Sequence, residues 1–339
     1  MDLTTQYMGL TLRNPIIASA SPLTGEVGTI RQLEDAGAAA VVLPSLFEEQ
    51  IRAQERLTEA LIDVGAESSP EAGSYFPASV AYNAGPAGYL DLIARARAAV
   101  DIPVIASLNG SSQAGWVDYA KLMEEAGASA LELNIYRIAT GAAVTGGEAE
   151  ADCVALVGAV RRQVKIPLAV KLHPHFSAFG AMARYLVHAG ADALVLFNRL
   201  YQPDIDLVRL GWRNDLALSS AHETRLGLQW LSELSGRLGD VSLAASTGVE
   251  SADEVVKYLL AGADVVMTTS ALLRHGPGHV RNLVDDLQAW LIARDFASVK
   301  AVRGLMRRPE AGAEARERDD YIQTLMNFRR AKLTGASAI

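Results

Sequence analysis

The sequence predicts an α/β fold, a TIM (β/α)8 barrel, on three observations. Eight short, continuous apolar segments recur along the chain. They alternate between two kinds, one entered from a proline or a polar turn and one entered from an Ala-Gly-Ala turn. Amphipathic helical stretches lie between them, as the crossovers of a buried parallel sheet require.

In chain order, the first strand is Asn14-Pro15-Ile16-Ile17-Ala18-Ser19. A helix over Ile30 to Ala36 ends at Gly37 and leads into the second strand, Ala40-Val41-Val42-Leu43. Ile102 to Ser107 is the third strand; a helix from Trp116 to Ala126 ends at Gly127 and delivers the fourth, Ala130-Leu131-Glu132-Leu133. Ile166-Pro167-Leu168-Ala169-Val170-Lys171 is the fifth, and the helix from Met182 to Ala189 passes through Gly190 to the sixth, Ala193 to Leu196. Val241 to Ser246 is the seventh; a helix from Ala252 to Ala261 and Gly262 precede the eighth, Val265 to Thr268. Glycine suits each helix-to-strand junction because a helix C-terminus usually passes through positive φ.

Two stretches interrupt the repeat, from Ser45 to about Val100 and from Arg199 to Leu216. Both follow strands, the second and the sixth, so they fall at the C-terminal mouth of the barrel, where βα loops build sites. The expected organisation is one barrel domain over 1–308 with extended loops, followed by a charged helical tail over 309–339.

A chain of 339 residues, half of them apolar, holds one such barrel and its core. Its net charge of −8 argues against a nucleic-acid surface, which needs a basic stripe. Cys153 is the only cysteine, so no intramolecular disulfide forms, which is consistent with a reducing compartment. The N-terminus carries no secretory signal, and no apolar run reaches membrane-spanning length. The expected location is the cytoplasm.

Lys171 ends an otherwise apolar strand, so its ammonium is expected in the barrel mouth, as a Schiff-base nucleophile or a fixed charge beside a developing anion. Asn109, Asn134 and Asn198 follow strands 3, 4 and 6, and their paired donors and acceptors suit a flat heterocycle. Ser246-Thr247-Gly248 and Thr268-Thr269-Ser270, at the last two strands, have the character of a phosphate cradle. His173 and His175 lack an accompanying cysteine or carboxylate cluster, so no metal is expected.

Taken together, the strand-5 lysine, the strand-end asparagines and the cradle resemble class 1 dihydroorotate dehydrogenases, FMN-dependent barrels of pyrimidine biosynthesis. The similarity runs from Met8-Gly9-Leu10-Thr11-Leu12-Arg13-Asn14-Pro15 to about Arg281. The resemblance implies that Ala18 and Ser19 touch the flavin and that Asn109 and Asn134 contact ring or substrate. It places Lys171 near the ring edge where charge accumulates on reduction. Asn83, in Tyr82-Asn83-Ala84-Gly85-Pro86, and Asn198 would face the substrate, while Ser220, Gly248, Thr269 and Ser270 would hold the phosphate. A homodimer and a separate electron-transfer partner are further implications.

The chain departs from the family at one loop. The family's strand-4 loop reads Asn-x-Ser-Cys/Ser-Pro-Asn, and its Cys or Ser removes a substrate proton. Here the segment is Asn134-Ile135-Tyr136-Arg137-Ile138-Ala139, with Arg137 at the base position. A guanidinium does not deprotonate in a protein and cannot act as a base. Tyr136, Thr140 and His173 are the neighbouring groups that could take the role. No lysine occurs between Ser45 and Val100, a second departure. The expected function is an FMN-dependent oxidoreductase acting on dihydroorotate or a similar small heterocycle. The alternatives are a catalytically silent FMN-binding or electron-transfer subunit and a Schiff-base aldolase using Lys171.

Overall fold

Eight parallel strands close on themselves, each hydrogen-bonded to two neighbours. The computed structural model describes residues 1–51, 85–110, 113–136, 139–200, 203–213, 215–310 and 312–334. The barrel strands are β3 (Ile16–Ala18), β4 (Ala40–Phe47), β5 (Val104–Asn109), β6 (Ala130–Asn134), β7 (Leu168–Leu172), β8 (Ala193–Leu196), β11 (Ser242–Ala245) and β12 (Val265–Thr268). They follow one another around the ring in sequence order, and β12 pairs with β3 to close it. Each lies within or overlaps one of the eight apolar segments. The largest difference is β4, which runs on to Phe47 after a shift of register between Val42 and Ser45.

The crossover helices are α1 (Val27–Asp35), α2 (Gly85–Ala99), α3 (Gln113–Glu125), α4 (Gly146–Arg161), α5 (Phe179–His188), α6 (Thr224–Leu234) and α7 (Ala252–Ala261). The glycines of all four Ala-Gly-Ala turns have positive φ, from +94° at Gly127 to +115° at Gly262. Asn14 fastens the first of these turns: its Nδ2 donates to the Gly37 carbonyl at 2.8 Å and its Oδ1 accepts from the Ile16 N–H at 2.9 Å. Cys153 is buried on α4.

Two hairpins lie outside the barrel. The first, β1 (Thr5–Tyr7) with β2 (Leu10–Leu12), plugs the N-terminal end. Its turn residues Met8 and Gly9 both have positive φ, 53° and 77°, the combination that matches strand twist in a tight hairpin. Tyr7, Met8 and Leu12 pack with Ile17, Val42, Ile105, Val195, Val265 and Met267 inside the barrel. The Thr5 hydroxyl donates to the Asp264 carbonyl and the Met8 N–H to the Ser242 hydroxyl, tying the plug to β11 and β12.

The second hairpin, β9 (Asp204–Asp206) with β10 (Gly211–Arg213), stands in the loop after β8. It exposes Leu207, Val208, Leu210 and Trp212.

After β12 come α8 (Ser270–His275), α9 (His279–Ile292), α10 (Val299–Val302) and α11 (Ala313–Thr334). Val280, Leu283, Leu287 and Leu291 bury the inner stripe of α9. The start of α11 is held by charge: Glu233 meets Arg237 at 3.0 Å, Arg316 at 3.3 Å and Arg308 at 3.6 Å. No helix among the described residues is long and apolar enough to cross a membrane.

Candidate active site

Strand alternation builds the site. Side chains two apart on a strand share a face, so the residue two beyond a buried interior position also faces inward, one layer nearer the mouth. Ile17, Ile105, Ala130 and Ala169 belong to the apolar interior. Two residues on stand Ser19, Ser107, Glu132 and Lys171, all buried. On each of these strands the interior therefore changes from apolar to polar toward the mouth, with Glu132 level with Ala169 and Lys171 one step higher, level with Asn134.

Toward the mouth the polar groups are joined. Asn198 Nδ2 donates to Asn134 Oδ1 at 2.6 Å, and Asn134 Nδ2 reaches Ser45 Oγ at 3.5 Å. Ser45 Oγ lies 2.8 Å from Ser107 Oγ. The Tyr89 hydroxyl accepts from the Ser107 N–H at 2.9 Å and donates to its carbonyl at 3.1 Å, bracing β5 from outside the strand. Burial pushes the Tyr89 phenol well above its ordinary value, so it serves as a neutral hydrogen-bonding group.

Lys171 is the cation of the mouth. Its side chain is 9% exposed, and its Nζ lies 3.6 Å from Glu132 Oε1 and 3.4 Å from Ser19 Oγ. Lys171 pairs in register with Asn134 on β6. An ammonium in this setting is a fixed positive charge beside two amide side chains.

Next to Lys171 opens a cavity lined by Ser19, Asn198, Ser219, Gly248, Thr269 and Ser270, among others. The Ser219 hydroxyl donates to Ser270 Oγ at 2.9 Å and accepts from the Gly248 N–H at 3.2 Å. Thr269 Oγ1 is buried and lacks a hydrogen-bond partner. A buried hydroxyl of this kind awaits an acceptor or donor from a bound molecule. Gly248 has φ +77°, and a Cβ there would sit 2.8 Å from the Ser220 carbonyl and 3.0 Å from the Thr224 nitrogen. The glycine is thus what lets the 219–224 turn close against the end of β11.

Tyr258 supports the same corner. Its hydroxyl donates to the Thr247 carbonyl at 2.8 Å and approaches the Ser246 carbonyl at 3.3 Å. Burial, then the charges of Glu254 and Glu223, raise its phenol above the ordinary value, so it donates throughout the working pH range. We predict that Tyr258→Phe weakens binding of a ligand in this cavity by roughly fivefold, the worth of about 1 kcal/mol. Equilibrium titration of the two proteins with FMN checks this, and equal affinities would contradict it.

Lys171, Asn134, Asn198 and Ser19 stand together at the mouth, and Gly248, Thr269 and Ser270 around the adjoining cavity. Ala18 is fully buried in the barrel wall, one residue before the cavity-lining Ser19. Ser220 stands behind Ser219, where its N–H is taken by Glu223 at 2.6 Å. Asn109 ends β5, level with Phe47 of β4, and Tyr136 is half-buried just past β6. His173 is buried and stacks on Phe176 at 4.4 Å; its Nδ1 accepts from the His175 N–H at 3.1 Å. Asn83 and Arg137 lie outside the described residues.

Sequence comparison decides the family. The dihydroorotate dehydrogenase family model matches residues 78–291, well over half of the chain. The chain belongs to the dihydroorotate dehydrogenase family. Its similarity to individual members is modest but extends over almost their full length. It is 28% identical over 312 residues to a putative dihydroorotate dehydrogenase A (fumarate) of Aeropyrum pernix, covering 91% of this chain and 98% of the other. It is 26% identical over 302 residues to the catalytic subunit of the dihydroorotate dehydrogenase B (NAD(+)) of Methanocaldococcus jannaschii, covering 85% and 93%. The corresponding subunit of Geotalea daltonii is 28% identical over 331 residues, covering 90% and 98%. The family takes its name from an oxidoreductase that acts on a CH–CH group, and this chain is a member of that enzyme family.

Four site residues were not singled out in the sequence: Ser45, Ser107, Glu132 and Ser219. Ser107 and Glu132 do carry a signal, being polar residues within apolar strands at the alternation of Asn109 and Asn134. Ser45 lies beyond the expected end of its strand, and Ser219 is a loop residue beside the one that was chosen.

Proposed function

We propose that this member of the family is an FMN-dependent oxidoreductase acting on a small heterocycle of the dihydroorotate type. The observation that carries the reading is that Lys171, in register with Asn134, stands with the Asn134–Asn198 pair, itself joined at 2.6 Å, at the edge of a hydroxyl-lined cavity. The residues fit the cofactor: Thr269 Oγ1 is a buried hydroxyl without a partner beside the cavity, and Gly248 lets the turn that carries Ser219 close against the same cavity. Ser219, Gly248, Thr269 and Ser270 would hold the phosphate, which a neutral cradle of N–H and O–H groups can do. The flavin, when bound, accepts hydride from a saturated carbon. Lys171 would stabilise the negative charge that reduction brings to its neighbourhood. Asn134 and Asn198 would orient an amide-bearing ring through their paired donors and acceptors.

The strand-4 loop governs the substrate. The family's proton-abstracting residue is replaced by Arg137, and its second asparagine by Ala139. Arg137→Ser is expected to raise dihydroorotate oxidation, measured with an artificial electron acceptor, by about tenfold or more, the lower part of what a positioned base contributes. Unchanged turnover in a flavin-loaded variant would point to a different heterocycle. A catalytically silent FMN-binding subunit is the reading that this same replacement favours if no heterocycle reduces the protein.

Titration of flavin-free protein with FMN and with riboflavin tests the cofactor assignment. FMN binding at least a hundredfold tighter than riboflavin supports it, and equal affinity for the two contradicts a phosphate cradle.

The proposed quaternary state is a homodimer. The β9–β10 hairpin exposes Leu207 to 81%, Val208 to 92%, Leu210 to 83% and Trp212 to 73%, a cluster of exposed large apolar residues within one short hairpin, of the kind that marks a protein interface. Val208→Asp with Leu210→Asp is expected to halve the mass measured by light scattering. An unchanged mass would place the interface elsewhere. Electron transfer to a separate protein partner belongs to the same proposal.

A further inference from the structure

Glu132 has no role in the chemistry described so far, yet it is the most deeply buried carboxylate among the described residues. It is 1% exposed, inside the barrel, and neither of its oxygens has a hydrogen-bond partner. The nearby Tyr7 hydroxyl, on the N-terminal plug, is also buried without a partner. Burying an ionised carboxylate is costly unless an opposite charge compensates it. Lys171 Nζ, 3.6 Å away, is the only cation that an ion pair brings to it among the described residues.

We propose that Glu132 is the positioning residue of Lys171: it is the internal counter-ion that holds the ammonium in the mouth and sets how much positive charge the bound cofactor meets. Lys171 sits on β7 and is caught between Ser19 Oγ at 3.4 Å and Glu132 Oε1 at 3.6 Å. Glu132 and Asn134 are two apart on β6, and Asn134 is the register partner of Lys171. Glu132 therefore approaches from the layer beneath, on the side of the barrel interior, and leaves the mouth side of Lys171 to the ligand. A long, flexible lysine needs such a restraint to present its charge at one place. Because the pair is buried, its two charges act at low screening on each other and on anything bound above them. Seen from the cofactor the pair is nearly neutral. Without Glu132 the site is net positive; without Lys171 it is net negative.

This inference rests in part on the FMN reading, so its test has one arm with the cofactor and one without. The variants are Glu132→Gln, Lys171→Met and the double variant. In flavin-free protein, thermal melting is expected to fall in each single variant, because each leaves one buried charge uncompensated, and to recover in the double variant. In FMN-loaded protein, the midpoint potential is expected to rise in Glu132→Gln, to fall in Lys171→Met and to return near the wild-type value in the double variant. Sulfite, which binds oxidised flavins that stabilise negative charge, should bind Glu132→Gln on the order of tenfold more tightly than wild type.

Additive losses of melting temperature, with no recovery in the double variant, would overturn the pairing without reference to flavin. A potential and sulfite affinity unaltered in FMN-loaded Glu132→Gln would overturn the tuning role. If Glu132→Gln fails to fold, folding of the double variant supports the pair and its failure as well overturns it. Wild-type protein that takes up no FMN removes the cofactor reading alone and leaves the melting arm to decide on the pair.

Discussion

Replacing Lys171 by alanine is expected to reduce flavin-linked turnover by roughly 10²–10³-fold while the barrel remains folded, the range found when one preorganised charge-stabilising group is removed. The expectation follows from where the charge stands. Lys171 is the penultimate residue of β7, with its Nζ buried between Glu132 and Ser19, at the level of Asn134. Developing negative charge placed there is stabilised by an ammonium that is already oriented and shielded from water, so little reorganisation accompanies the reaction. Steady-state kinetics should show the loss chiefly in kcat, since the asparagines proposed to orient a substrate are untouched. Circular dichroism should show the same secondary structure, with melting somewhat lower because Glu132 loses its counter-ion. An alanine variant with wild-type turnover would remove Lys171 from the mechanism.

Replacing Gly248 by valine is expected to weaken FMN binding by about a hundredfold or more. Two costs combine. The backbone at Gly248 has φ +77°, a conformation that costs an L-residue about 1–2 kcal/mol and a β-branched one more. The new Cβ also meets backbone, with the Ser220 carbonyl at 2.8 Å and the Thr224 nitrogen at 3.0 Å. Backbone cannot swing aside like the end of a side chain, so the 219–224 turn must move. That turn carries Ser219, whose hydroxyl links Gly248 to Ser270. The variant's melting temperature should change less than its FMN affinity, because the displaced turn lies at the mouth rather than in the core. Fluorescence titration measures the affinity, and a variant that binds FMN as wild type does would show that the cavity is not the phosphate site.

The legible parts of this molecule are those that depend on one segment at a time. Buried parallel strands are short apolar runs, and a glycine at positive φ ends each helix that feeds an Ala-Gly-Ala turn, so all eight barrel strands could be located from the sequence. Lys171 and Asn198 stood out because a polar residue after an apolar run has to emerge at the mouth. The less legible parts depend on two segments meeting. Glu132 looks like an incidental polar residue in its strand until β6 and β7 are set in register and Lys171 comes within 3.6 Å. Ser219 lines the cavity wall while its neighbour Ser220 donates its N–H to Glu223, an arrangement set by the turn into α6. The N-terminal plug consists of two three-residue strands, too short for any periodicity to mark them. Its place is fixed by contacts with β11 and β12, more than two hundred residues away in sequence.

The central claim is that this mouth binds FMN and passes to it the electrons of a small heterocycle. An anaerobic visible spectrum of the purified, FMN-loaded protein, taken before and after addition of dihydroorotate, tests it most directly. The expected result is a yellow protein whose flavin absorption bleaches on addition. A protein that remains colourless after incubation with FMN would contradict the cofactor assignment, and a yellow protein that stays yellow would contradict dihydroorotate as the reductant.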